Sequence, residues 1–273
     1  MRRELLIAAA IAAISSPAWA VEINYLDGSQ GWDKGPTNAN GTAEIVDLTG
    51  EGGALENNAP QPTGAVKLTT DATNAGRAEV SLEGNFGLVS DLLNGGLTVQ
   101  YSWYDTAGTP VAAPSLKLAF DNPTYDAGAG NDGYGQLIFE PYWQGPTNAS
   151  ITPTQGDWVT ETINLNSGKF WNSGMFGVAS SAGGPPNQTI TEWAALSDPA
   201  FLDANLVGIS VGLGSYNPSE TGYVDDIRIS GTLLDGNYDF EATTPAIPLP
   251  ASLPLLLAGS LALGGLRMRR RKG

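Results

Sequence analysis

The chain contains no histidine and no cysteine, so any chemistry it performs must come from carboxylates, amines, guanidinium groups, hydroxyls and aromatic rings. That removes the commonest general base, the Ser-His-Asp and Cys-His nucleophile systems, and zinc sites of the usual ligand types. Two carboxylates stand side by side at Asp225 and Asp226, in the run Gly222-Tyr223-Val224-Asp225-Asp226-Ile227-Arg228-Ile229. Read as a strand, this run puts Tyr223, Asp225, Ile227 and Ile229 on one face and Val224, Asp226 and Arg228 on the other. The apolar members mark the first face as inward, so Asp225 is expected to aim at the core. An ionised carboxylate there is costly unless it is neutralised, hydrogen-bonded or coordinated to a metal. Pointing to opposite faces, Asp225 and Asp226 cannot form the carboxylate pair of a glycoside hydrolase, which requires a separation of roughly 5 to 9.5 Å. No other motif seats such a pair.

The aromatic residues offer a second kind of chemistry. Tyr142-Trp143 and Phe170-Trp171 are adjacent pairs, and in a strand one member of each faces outward, where a flat ring can stack on a sugar face. Tyr142, Trp143 and Trp171 are therefore candidate binding residues, although such pairs more often serve as core plus rim. An acidic loop over residues 121–132 sets Asp121, Asp126 and Asp132 among glycines. It lacks the fixed offsets and closing glutamate of an EF-hand and reads as a solvated loop. Asn-Xaa-Ser/Thr triplets occur at Asn40, Asn148 and Asn187.

The elements that must position these residues read as strands. Ala78, Val80 and Leu82 alternate with Glu79, Ser81 and Glu83; Leu97, Val99, Tyr101 and Trp103 alternate with polar residues; and Leu116, Leu118 and Phe120 repeat the pattern. Further strands are predicted over 23–26, 43–48, 136–140, 158–165, 206–213 and 222–229. Asp198 before Pro199 predicts a short helix over 200–205. This many strands separated by turn residues predicts an all-β antiparallel sandwich over residues 21–240, followed by a Thr/Pro linker over 241–250.

Both ends carry address information. Arg2 and Arg3 precede an apolar run over 5–14 and then Ala18-Trp19-Ala20, the layout of a signal peptide cleaved after Ala20 on the Sec route. At the other end, residues 251–273 hold an apolar run over 253–266 followed by Arg267, Arg269, Arg270, Arg271 and Lys272. That run is shorter than the ~20 residues of a comfortable span, so it predicts a transient inner-membrane anchor. Of the chain's 13 basic residues, these ends take seven, leaving six; of its 28 acids only Glu4 lies outside the middle, leaving 27. The middle domain therefore carries a formal charge near −21. Such a field repels nucleic acid and attracts cations. With no disulfide, the fold must rest on one sizeable core, which this length and 41% hydrophobic content can supply.

Ile247-Pro248-Leu249-Pro250-Ala251, the apolar run and the arginine cluster together closely resemble the PEP-CTERM sorting signal of the Val-Pro-Leu-Pro-Ala variety, with Ile247 where that family usually has valine. The resemblance implies a bacterial chain, an exosortase-type processing enzyme as partner, and a cell-surface or extracellular destination. Within the domain, the run at 222–229 resembles the closing strand of jelly-roll carbohydrate-binding modules and of laminin B (domain IV) jelly rolls. The laminin comparison extends to the Phe86–Asp105 stretch and to Trp193–Leu213. In the binding modules the matching aspartate holds a structural calcium, which implies Asp225 as a ligand, with groups around residues 23–27, including Asp27. The alternative is that Asp225 is hydrogen-bonded to loop amides at the sandwich end.

Two function classes follow. The first is an exported, surface-sorted, non-catalytic protein of the envelope or matrix that binds polysaccharide or another surface component with calcium support. The second is a carboxylate-based, glycan-active enzyme on the same scaffold.

Overall fold

In the computed structural model the described residues are 20–35, 40–107, 111–125, 133–231 and 235–243. Residues 1–19 of the expected signal peptide, the acidic loop beyond Tyr125 and the whole sorting tail lie outside them. Contacts divide the chain after Ala242, and every element below belongs to the unit that ends there.

Strand alternation builds this unit. In chain order the strands are β1 (Val21–Ile23), β2 (Trp32–Lys34), β3 (Thr42–Asp47), β4 (Gly64–Thr69), β5 (Ala78–Glu83), β6 (Leu97–Ala107), β7 (Ser115–Asp121), β8 (Tyr134–Phe139), β9 (Trp158–Asn164), β10 (Phe170–Asn172), β11 (Asn205–Leu213), β12 (Thr221–Gly231) and β13 (Gly236–Phe240). Three short helices, α1 (Gly53–Asn57), α2 (Val89–Gly95) and α3 (Ile190–Leu196), connect them.

The strands form two sheets packed face to face, an antiparallel β-sandwich of the jelly-roll class. The first sheet centres on β12. One edge of β12 pairs with β6, which in turn pairs with β9, and the other is shared by β4 and β13. β3 flanks β4, and β1 joins β13 in a parallel pairing, Ile23 opposite Phe240. The second sheet runs β10-β8-β7-β11-β5-β2. Between the sheets lies one core in which Val99, Tyr101 and Trp103 of β6 meet Leu116, Leu118 and Phe120 of β7, as the alternation predicted. A smaller cluster of Leu48, Leu55, Ala65 and Tyr223 lies apart from that core, with Tyr104 and Trp158 packed against it.

Several expectations are corrected. The predicted helix over 200–205 is a 3-10 turn, Pro199–Phe201, although Asp198 does cap it by accepting the N–H of Ala200 at 2.9 Å. The true helix of this region is α3, which opens on a full capping box of Thr189 and Glu192. β2, β4, β10 and β13 were not expected. Glu241, placed in the linker, is tied to the domain: its N–H donates to Ile23 O at 2.9 Å, and its carboxylate accepts from Thr63 N and Oγ1.

The closing strand does not keep its parity. Its register with β6 slips between Asp225 and Arg228, and Asp226 has φ 49°. This bulge inserts an extra residue and resets the alternation. Val224, Ile227 and Ile229 therefore share the main core, whereas Tyr223 lies in the smaller cluster. Asp226, expected to point outward, is buried beneath Gln61, Gln100 and Arg228, all of which donate to its carboxylate.

Candidate functional site

The outward face of the second sheet carries the site. Pairing registers bring Trp171 of β10, Ile138 of β8, Lys117 of β7, Ser210 of β11 and Ser81 of β5 into one row across five strands. Their strand neighbours Phe170, Phe139, Leu116, Val211 and Val80 fill the core, so the row necessarily faces away from it. Glu79 was expected to be solvent-facing, but it is only 2% exposed and lies under this row. Lys117 Nζ donates to Glu79 Oε1, Arg77 Nε approaches the same oxygen at 3.3 Å, and Ser210 Oγ donates to Glu79 Oε2 at 3.2 Å. Gly212 makes room for this arrangement, since a Cβ there would lie 2.7 Å from the Glu79 side chain. Burying these charges is tolerated because every one meets an opposite charge or a donor.

Above this floor lies a cleft of about 510 Å³, within the usual range for ligand sites. Its walls are loops at the strand ends. On one side the chain leaving β8 turns in a 3-10 helix, Pro141–Trp143, started by the proline. The turn presents Tyr142 and Trp143 edge to face, with centroids 4.8 Å apart. A strand would have turned only one of the two rings outward; the turn instead lets both line the cleft together with Trp171 of β10. On the other side, residues 214–217 carry Tyr216, at 76% the most solvent-exposed large apolar side chain among the described residues. Tyr216 has φ 68°, and its N–H donates to Asn74 O at 2.9 Å. Nothing in the local sequence marks Tyr216, because its place in the cleft comes from where the β11–β12 connection crosses the sheet end.

Glu140 is the only carboxylate among the described residues lining the cleft. Burial pushes its carboxyl above the usual range, while Trp171, the Lys117 ammonium and Trp143 pull the other way. Sequence reading missed Glu140, Lys117 and Arg77 as site residues. Glu140 ends a predicted strand and Lys117 sits in an alternating one, so neither stands out without the fold.

The expected metal ligands are not brought together. Asp27 is an exposed residue whose Oδ1 accepts from Ser29 N at 3.0 Å and Ser29 Oγ at 2.5 Å, closing its own turn. Asp225 is fully buried, with Oδ1 accepting the N–H of Phe240 at 3.1 Å and Oδ2 lacking a hydrogen-bond partner. The acids whose charges act on it are Asp239 and Asp226, not Asp27. No group of three or more acidic side chains suited to a metal occurs among the described residues. Of the Asn-Xaa-Ser/Thr triplets, Asn187 is buried and cannot accept a glycan in this fold. Among the described residues no helix is long and apolar enough to cross a membrane.

No protein-family model and no curated protein matches the chain. Among solved structures it is similar to a family 11 carbohydrate-binding module from Clostridium thermocellum in complex with a β-1,3-1,4-mixed-linked tetrasaccharide, with 15% identity, 81% of this chain and 95% of that one covered, and a TM-score of 0.39. It is also similar to a cellulose-induced protein, at 14% identity, 75% and 92% coverage and a TM-score of 0.42. A third similar structure is an endo-β-1,4-glucuronan lyase from the fungus Trichoderma reesei, at 14% identity, 73% and 90% coverage and a TM-score of 0.39.

Proposed function

We propose that the chain is an exported, surface-sorted, non-catalytic protein whose sandwich binds polysaccharide in the cleft over its second sheet. The observation that carries this reading is the cleft itself, with Tyr142, Trp143 and Trp171 on one wall, Tyr216 on the other and a polar floor between. Rings supply flat apolar area that stacks on the C–H face of a sugar, and the polar groups meet its hydroxyls. A glycan-active enzyme is the second reading. Against it stands that Glu140 is the single carboxylate among the described residues lining the cleft, where hydrolysis by the common route needs two.

Isothermal titration of the full chain against a panel of soluble polysaccharides, with an assay for released reducing ends and unsaturated products, tests both readings. Binding without release is expected. Release of either product class would overturn the non-catalytic assignment. Sorting is proposed from the tail: in protein recovered from the native host, mass measurement should show loss of residues 1–20 and cleavage near Pro248, Leu249, Pro250 and Ala251. Recovery of Arg267, Arg269, Arg270 and Arg271 in the surface fraction would leave a simple membrane anchor instead.

A further inference from the structure

We propose that the cleft selects uncharged polysaccharide chains and rejects uronate-bearing ones, with Glu140 as the discriminating residue; this rests on the polysaccharide reading above. The cleft holds two cations, Arg77 and Lys117, of the six in the domain, which at first suggests an anionic ligand. Both, however, converge on the Glu79 carboxylate beneath them. Two cations on one carboxylate leave a single positive charge, and Glu140 balances it from the wall. The cleft is therefore formally neutral, inside a domain near −21.

Glu140 faces a ligand as an acceptor only. When ionised it takes hydroxyl protons in charge-assisted hydrogen bonds, and a sugar diol supplies them. A uronate places a second acceptor-only group against it in a partly desolvated site, so no proton bridges the two and their charges repel. Trp143 and Trp171, flanking Glu140, hold the sugar ring against it without regard to charge. Discrimination thus falls on Glu140 and affinity on the indoles.

The test uses the full chain and three neutral backbones, a β-glucan, a galactan and a mannan, each compared with its own C6-oxidised, carboxylate-bearing counterpart at equal ionic strength. The wild-type protein is expected to bind at least one neutral chain at least tenfold more tightly than its oxidised counterpart. Glu140→Gln keeps an acceptor but removes the charge. It should shrink that ratio to about threefold or less while neutral binding stays within about threefold. Glu44→Gln, an exposed acid on β3, removes an equal charge from the first sheet and should leave the ratio unchanged, separating Glu140 from the general field. Should Glu140→Gln fail to fold, a wild-type ratio near one still overturns the selectivity. Equal or tighter binding of an oxidised chain overturns the selectivity while leaving polysaccharide binding intact. A ratio unmoved in folded Glu140→Gln overturns the assignment to Glu140. Failure of all six polymers to bind overturns both this inference and the reading beneath it.

Discussion

Asp225 accepts the backbone N–H of Phe240 at 3.1 Å, at the point where β12 gives up β4 as a partner and takes β13. β4 pairs with Thr221–Val224 and β13 with Ile227–Ile229, so the carboxyl fills a gap in the ladder. Its other oxygen has no hydrogen-bond partner. Burial first, and then the charges of Asp239 and Asp226, push its pKa up to about 8, against the opposing backbone N–H groups of Phe240 and Asp226.

That shift gives stability a definite pH dependence. In metal-free buffer the folded state holds a proton on Asp225 that the unfolded chain releases near pH 3.8. Stability should therefore fall as pH rises from about 4 to about 8 and then level off. Asp239, raised to about 6 by burial and by Glu241, Glu22 and Asp226, adds to the lower part of that window. Asp47 and Asp71, held low by Thr49 and Thr73, act in the opposite sense, but only below the unfolded carboxylate range. Melting temperatures of wild type and Asp225→Asn between pH 4 and 9 check this: the variant should lose most of the decline between pH 6 and 8.

Calcium is a proposal that competes with that proton. If a cation takes the open oxygen of Asp225, with Asp239 beside it, saturating calcium should stabilise the fold by about 2.7 kcal/mol at a hundredfold excess over Kd. The gain should exceed that from sodium chloride at matched ionic strength and be larger at pH 8 than at pH 5. Asp225→Asn should abolish it and Asp27→Asn should not. No gain beyond matched salt would mean that protonation alone neutralises Asp225.

Removing Glu79 should be the more damaging way to break the cleft floor. Glu79→Ala leaves Lys117 and Arg77 repelling each other over a desolvated sheet face, and losing one partner of a buried ion pair costs roughly 3–5 kcal/mol. Lys117→Met leaves Glu79 with Arg77 and Ser210, so it should cost clearly less. Urea denaturation of the two variants orders them, and the reverse order would show that the floor does not depend on Glu79.

The indoles should dominate affinity. Replacing Trp143 or Trp171 by Ala is expected to weaken polysaccharide binding by about 2 kcal/mol, roughly thirtyfold in Kd. Tyr216→Phe should change binding little if the exposed ring acts by stacking, whereas Tyr216→Ala should weaken it. Titration with the best-binding neutral chain reads both.

Much of this protein was settled by sequence alone. Period-two alternation in β6 and β7 identified the core faces, because a strand has only two sides and the apolar one must be inward. The absence of histidine and cysteine and the excess of acids bounded the chemistry without any coordinates. Tyr142, Trp143 and Trp171 could be named as candidates, but only tertiary structure showed that they share one cleft. Parity failed at Asp225 and Asp226 because a bulge is a property of two paired strands: the extra residue is visible only against the register of β6. The strand β4 was hidden in a Gly- and Thr-rich stretch, and its membership depends on lying beside β12. Glu140, Lys117 and Arg77 are far apart in sequence, and their shared charge balance exists only because the sheet order β8-β7-β11-β5 sets their strands side by side. A cleft across a sheet is assembled from strands as far apart in the chain as β5 and β11, and local propensity carries no record of which strands will be neighbours.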